Sequence, residues 1–388
     1  MFDDGGGNTP PFFFNGLQST NIVAGAIDWV AKSVGRGVMS AVRAFKAILR
    51  SAIQTLDRRA LGFAALVDLF QRLYAVGRGR FSREMRAVTL GRAAFHAGLS
   101  HLHSNPGLRR AVHRLEKGLL MRPRHDVFAA DYIEQAVNDY ARAVRTPGFD
   151  RDELRWTHDV LAQYFDVVEN TPAISRARTC FESIVPFPTS NESGVSTHAP
   201  FPERARVQTR VTFEDFLLLC RRRRSVRWFN GQAVPEALIR QALEAALQAP
   251  SACNRQPFFF RYFDNRTDAA RIASIAMGTV GYSEQIPALL VLLGDWSCFE
   301  DERDRHLPYI DGALAAMQLM LALETLGLAS CPINWPDVES LERRMTQALE
   351  LPPYVRPIML IAVGYPDPEG GVAYSAKKTV NAMLKRNG

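Results

Sequence analysis

Apolar side chains recur at helical spacing through the first part of the chain. Over 20–56, Ile27, Val30, Val34, Val38, Ala41, Phe45, Ile48, Ala52 and Leu56 follow one another at three- and four-residue steps, with Lys32, Arg36, Arg43, Lys46 and Arg50 between them. This predicts a basic amphipathic helix, or two helices broken near Gly35 and Gly37. Such a helix can dock its apolar face on a neighbour or lay it on an anionic membrane surface. Further helical patterns run at about 60–78, 82–104, 107–120, 129–145 and 149–169, and runs of Val, Ile and Thr are nearly absent there. Residues 19–170 therefore read as an α-helical domain. Residues 1–18, with their glycines and prolines, read as a disordered tail. Prolines and serines in irregular order give 171–206 the composition of a linker.

Beyond 206 the period changes. Helical patterns at 213–220 and 235–249 precede an aromatic run at 258–263 and an unbroken apolar run at 288–294, both strand candidates. A long apolar helix over 309–326 closes on Gly327, and 358–364 is a third strand candidate. Residues 207–388 thus form a second domain. The fold class is α+β, with helices around one sheet, preceded by the mostly α-helical domain.

Composition changes this picture little. Of 388 residues, 47% are apolar and 22% charged, which supports two globular domains. A net charge of +7 permits a nucleic-acid or anionic-membrane partner without requiring one. Five cysteines, scattered and without a CxxC pair, point away from a disulfide framework or a zinc site and fit a reducing cytoplasm. His96, His101 and His103 cluster without a carboxylate or cysteine at a metal-ligand spacing, so no metal is expected. The N-terminus has no basic and apolar signal pattern, and no uncharged apolar run reaches membrane-spanning length.

Four segments carry candidate chemistry. Arg223, Arg224, Ser225 and Arg227, followed by Trp228 and Phe229, combine guanidinium forks with a hydroxyl, a set suited to phosphate oxygens. A run of arginines is also what a solvated basic face looks like, and no RNA- or DNA-binding signature accompanies it. Pro250, Ser251, Asn254, Gln256 and Pro257 lie between a helix and a strand, where the two amides can read the polar edge of a heterocycle. Around Pro332, Ile333 and Asn334 a glycine cap and a proline-containing turn can offer backbone groups to a ligand. Lys377 and Lys378 form a basic pair near the C-terminus.

In this order and spacing the four segments resemble the FMN-dependent nitroreductase family over about 207–388. Arg223, Arg224, Ser225, Arg227 and Phe229 match its N-terminal motif. Pro250, Ser251, Asn254, Gln256, Pro257 and Phe258 match its Pro-Ser-x-x-Asn-x-Gln-Pro motif, and Lys377 and Lys378 its closing basic pair. The resemblance implies a mostly antiparallel sheet wrapped by helices and a homodimer through the 309–328 helix. It also implies FMN as cofactor and NAD(P)H as cosubstrate in a ping-pong cycle. Arg223, Ser225 and Arg227 would hold the phosphate, ribityl chain and pyrimidine side, with Arg224 assisting and Lys377 and Lys378 completing the clamp. Asn254 would meet the ring edge on a loop shaped by Pro250, Ser251 and Gln256. The backbone at Pro332, Ile333 and Asn334 would lie near flavin N5, where Asn334 and Trp335 replace the Glu-Gly or glycine of many members. The hydride chemistry belongs to the cofactor, so no catalytic side chain is named.

The segment His113-Arg114-Leu115-Glu116-Lys117-Gly118-Leu119 is similar to a motif of nitroreductase-like proteins from bacterial surface-polysaccharide gene clusters. On that resemblance the helical domain is an addition specific to the subgroup. The rival reading is a peripheral membrane or scaffold protein that uses the reductase-like domain for dimerisation.

Overall fold

The computed structural model describes residues 45–53, 56, 81–99, 103–184 and 198–386. The predicted tail over 1–18, most of the 20–56 helix, the helix near 60–78 and His101 lie outside the described residues. Contacts divide the chain into two units, Met1–Phe81 and Ser82–Gly388. In the first, residues 45–53 are helical, with Phe45, Ile48 and Ile53 exposed.

The second unit begins with five helices: α1 Ser82–His96, α2 Pro106–Leu120, α3 Ile133–Arg145, α4 Arg151–Val167 and α5 Pro172–Glu182. The starts of α2 and α4 follow from capping chemistry. The Asn105 side chain accepts from the backbone N–H of Gly107 and Leu108 at 2.9 and 3.0 Å, with Pro106 in the first turn. Asp150 caps α4 by accepting from the Glu153 N–H at 2.7 Å. Leu108, Val112, Leu115, Val137, Tyr140, Leu161 and Tyr164 form the core between them.

Helix α5 corrects the reading of 171–206 as a linker. Thr171 accepts from the Ile174 N–H and Pro172 occupies the first turn, so the segment opens as a capped helix. Ile174 and Ala177 are buried in the helical core. The proline read as a loop signal is a helix start.

The remainder is built on a four-stranded antiparallel sheet of order β1-β2-β4-β3, with β1 Phe258–Phe263, β2 Ala288–Asp295, β3 Ala329–Asn334 and β4 Val355–Gly364. Both faces of central β2 are covered, which explains its unbroken apolar run. Leu289, Val291 and Leu293 face one core with Ile272 and Met345, from helices α8 Arg266–Ala273 and α10 Glu339–Leu349. Ala288, Leu290 and Leu292 face the other, with Ile239 and Ala242 of α7 Glu236–Ala246 and Ala315, Leu319 and Leu323 of α9 Leu307–Thr325. Each such leucine contributes roughly 1.5–3 kcal/mol through burial. Pro357 sits where the β2–β4 register shifts, a position where its missing N–H is tolerated.

Strand β3 is a second correction: the stretch holding Pro332, Ile333 and Asn334 is an edge strand rather than a turn. The Ser330 carbonyl accepts from the Val226 N–H at 3.1 Å, on the side away from β4. By the alternation of a strand, the backbone groups of Pro332 and Asn334 face that same open side. Proline fits there because its absent N–H breaks no pairing with β4.

The helical half and the sheet pack as parts of one unit. Gly91 of α1 lies so close to Trp296 that a Cβ would stand 2.6 Å from the Trp296 carbonyl carbon. The Arg92 Nε donates to the Glu300 carbonyl at 3.0 Å, and Arg110 pairs with the Glu300 carboxylate.

Candidate functional site

The arginine motif leaves helix α6 Phe213–Arg222 and runs extended along the end of the sheet. Ser225 bridges Ser330 of β3, Phe229 bridges Pro366, and the Asn230 N–H donates to the Tyr365 carbonyl at 3.0 Å. The pairings hold Arg223, Ser225 and Arg227 beside β3. Burial pushes the Cys331 thiol up, and the guanidinium groups of Arg227 and Arg223 oppose that shift. Burial likewise pushes the Tyr282 hydroxyl to about 12, again with Arg227 opposing. The buried Arg223 Nε and Ser330 Oγ have no hydrogen-bond partner among the described residues. Two orphaned donors in one basic corner are costly unless an acceptor joins them.

The C-terminal segment starts at the same corner. Arg224 Nη2 donates to the Ala373 carbonyl at 2.9 Å. Lys377 and Lys378 follow four and five residues later, both exposed. The described tail beyond them is exposed as well, including Val380 and Met383 of the short helix α11 Val380–Met383.

The second motif forms a separate cluster. Pro250 ends the α7 region, and Ser251 Oγ donates to the buried Asp311 carboxylate at 2.6 Å. The Ala252 N–H donates to the same oxygen at 3.0 Å, and the Gln256 N–H to Ser251 Oγ at 2.8 Å. Gln256 Nε2 donates to Asn254 Oδ1 at 3.1 Å. Cys253, Asn254 and Gln256 hold left-handed backbone, with φ of 52°, 52° and 51°. Each such residue costs on the order of 1–3 kcal/mol, so the loop needs support from its surroundings. Asp311 supplies part of it; burial raises its carboxyl pKa, and Ser251 opposes the shift.

Support also comes from the helical half. Arg109 Nε donates to the Asn254 carbonyl at 2.6 Å while its Nη1 meets the Glu153 carboxylate at 2.8 Å. A cleft of about 600 Å³ lies here, lined by Arg109, Glu116, Trp156, His198, Asn254 and Gln256. Glu116 accepts from the Trp156 indole at 3.0 Å, so it is not merely an exposed helix charge. Nor is Gly118 a cap: α2 continues to Leu120, and a Cβ at 118 would lie 2.4 Å from the Phe128 ring.

Within one chain the two motifs are not brought together. Phe258, beside the amide loop, registers through Gly294 with Arg356, whereas Ser330 registers with Val363 at the other end of β4. Three strand spacings and seven residues along the strand separate these corners by roughly 25 Å. Helix α9 gives the same measure. Asp311 near its start holds Ser251; Glu324 near its end faces Arg222 Nε at 3.4 Å. Burial raises the Glu324 pKa, and Arg222 and Arg223 oppose that. Asp311 and Glu324 are the two acids in an otherwise uncharged α9, a signal present in the sequence that the motif reading did not use. Phe299 and the Tyr309 hydroxyl serve structural contacts, with Arg255 over the one ring and Arg356 donating to the other hydroxyl.

This architecture is that of a nitroreductase-like α+β domain. The model of the nitroreductase family matches residues 220–292 and 284–365. The NADH dehydrogenase of Thermus thermophilus is 32% identical over 180 residues, which is 38% of this chain and 85% of that protein. The NAD(P)H FMN reductase of Bacillus subtilis is 26% identical over 158 residues, 37% of this chain and 62% of that protein. A solved nitroreductase family protein from Streptococcus pneumoniae is 25% identical, with 44% of this chain and 100% of that one covered at a TM-score of 0.39. The chain belongs to the nitroreductase family.

Proposed function

We propose that the protein is an FMN-dependent oxidoreductase that takes hydride from NAD(P)H and passes it to a small-molecule acceptor. The observation that carries this reading is the basic corner with its two orphaned donors, Arg223 Nε and Ser330 Oγ. A phosphate supplies several strong acceptors at one point, which suits such a corner. Arg223, Arg224, Ser225 and Arg227 would hold FMN there, with Lys377 and Lys378 closing over it from the segment that Arg224 tethers. Arg227 would also stabilise negative charge on the pyrimidine side. FMN, when bound, supplies the two-electron chemistry. The loop carrying Pro250, Ser251, Asn254 and Gln256 would meet the ring edge. The open backbone of β3 at Pro332 and Asn334 would lie near N5; Trp335 is not part of that contact, since its indole donates inward to buried Glu342 at 2.9 Å.

The site is composite. The motifs lie at opposite ends of α9, whose stripe of Ile310, Leu314 and Met317 is exposed. Two copies packed antiparallel along this stripe bring the amide loop of one against the arginine corner of the other. A homodimer through the 309–328 helix therefore assembles what one chain separates.

The test is direct. The purified protein should be yellow with two visible flavin bands, and added NADH or NADPH should bleach them. A colourless protein that takes up no added FMN would falsify the proposal. A second reading, peripheral membrane contact through 20–56, is favoured by one observation: Phe45, Ile48 and Ile53 are exposed on a helix that also carries Lys46 and Arg50. No described helix is long and apolar enough to cross a membrane.

A further inference from the structure

We propose that Arg109, carried by the helical half, is a positioning residue for the amide loop 251–256, so that the helical half sets the shape of the cofactor site. The inference rests on the FMN reading above and deepens it.

The contacts of Arg109 form a rigid chain. Its guanidinium is fixed at one end by Glu153, whose side chain is fully buried. That carboxylate also accepts from Ser104 Oγ at 2.6 Å and from the Asn105 N–H at 2.9 Å, so it has no freedom to swing. The Trp156 ring lies beside the guanidinium, 5.3 Å from its carbon. At the other end Arg109 Nε grips the Asn254 carbonyl. Orienting that carbonyl orients the peptide plane that follows Asn254, in the middle of three left-handed residues. The Asn254 N–H meanwhile donates to the Ser251 carbonyl at 2.9 Å, and Ser251 is tied to Asp311. The loop is thus held from the sheet side by α9 and from the helical side by α2. A planar guanidinium can serve Glu153 and Asn254 together; an ammonium has no fixed fork to do so.

The experiment uses the full chain and FMN itself. Apoprotein is titrated with FMN by flavin fluorescence, and the bound spectrum is recorded. Arg109→Gln should raise the Kd about tenfold or more and shift the visible bands, with far-ultraviolet dichroism unchanged. Arg109→Lys should recover only part of that loss. Arg114→Gln, on the same helix but paired with Asp131, should leave the Kd within about twofold. A folded Arg109→Gln with wild-type Kd and bands overturns the inference. Should Arg109→Gln fail to fold, Arg109→Lys decides: a weakened Kd supports the role and a wild-type Kd overturns it. A wild-type chain that takes up no FMN overturns the functional reading and this inference with it, whereas a yellow wild type beside an unaffected Arg109→Gln overturns this inference alone.

Discussion

Asp311 and Glu324 stand near opposite ends of helix α9, and each ties down a different motif. Asp311 accepts from Ser251 at 2.6 Å, and Glu324 faces Arg222 at 3.4 Å. At 1.5 Å per residue their separation along the helix is roughly 20 Å. The helix therefore holds the two motifs apart.

On the proposed composite site, splitting the proposed dimer should empty it. Leu314→Arg with Met317→Glu places charge on the exposed stripe of α9 and leaves its sheet-facing side intact. Sedimentation should show a single-chain mass, and flavin content should fall with it. A monomeric variant that keeps full flavin content contradicts the composite site.

Arg227→Ala should weaken FMN retention and slow its reduction. Loss of one charge-assisted hydrogen bond costs about 1.5–3 kcal/mol, or roughly ten- to a hundredfold in Kd. Arg223→Met should lose affinity on the same scale while relieving an orphaned donor. Unchanged flavin titrations would remove these residues from the site.

The Asp311 carboxyl has a folded pKa raised above its ordinary value by burial. A raised folded pKa means the stabilising contribution is present below the unfolded pKa and is lost as pH rises through the folded one. Asp311→Asn keeps an acceptor for Ser251 and Ala252 without the buried charge. Its melting temperature relative to wild type should therefore rise from about pH 4 to about pH 7. A difference that stays flat, or falls, over that range contradicts the assignment.

Gly91→Ala should destabilise the junction of the helical half with the sheet. Alanine gains up to about 1 kcal/mol of helix propensity. Its Cβ would however meet Trp296 backbone at 2.6 Å, and overpacking costs about 1–3 kcal/mol. Urea unfolding should show the clash winning.

Membrane contact is tested by vesicle flotation with and without residues 1–58. The full chain should float with vesicles rich in anionic lipid and the shortened chain should not. Equal flotation removes the segment from that role.

Strands with strong local patterns were readable from sequence alone. The run over 288–294 reads as a strand, and β2 bears it out; its burial on both faces explains why the run is unbroken. Strand β3 was hidden because Pro332 reads as a breaker until the open side of the sheet is known. Helix α5 was hidden because Thr171-Pro172 serves equally as a loop or as a helix start. The motif residues were recognised through the family resemblance, but their division between two corners depends on sheet order, which no local pattern carries. Arg109 lies 145 positions from its partner Asn254 and carries no local signal.

The loop at Cys253, Asn254 and Gln256 adopts glycine-like backbone without glycine. Glycines could reach the same shape, yet they would also sample many others. Residues bearing side chains shrink that search, and the neighbouring anchors select one survivor. On the proposed function, capture of FMN by such a loop would require little waiting for the right conformer, and its speed would be set by encounter rather than by rearrangement.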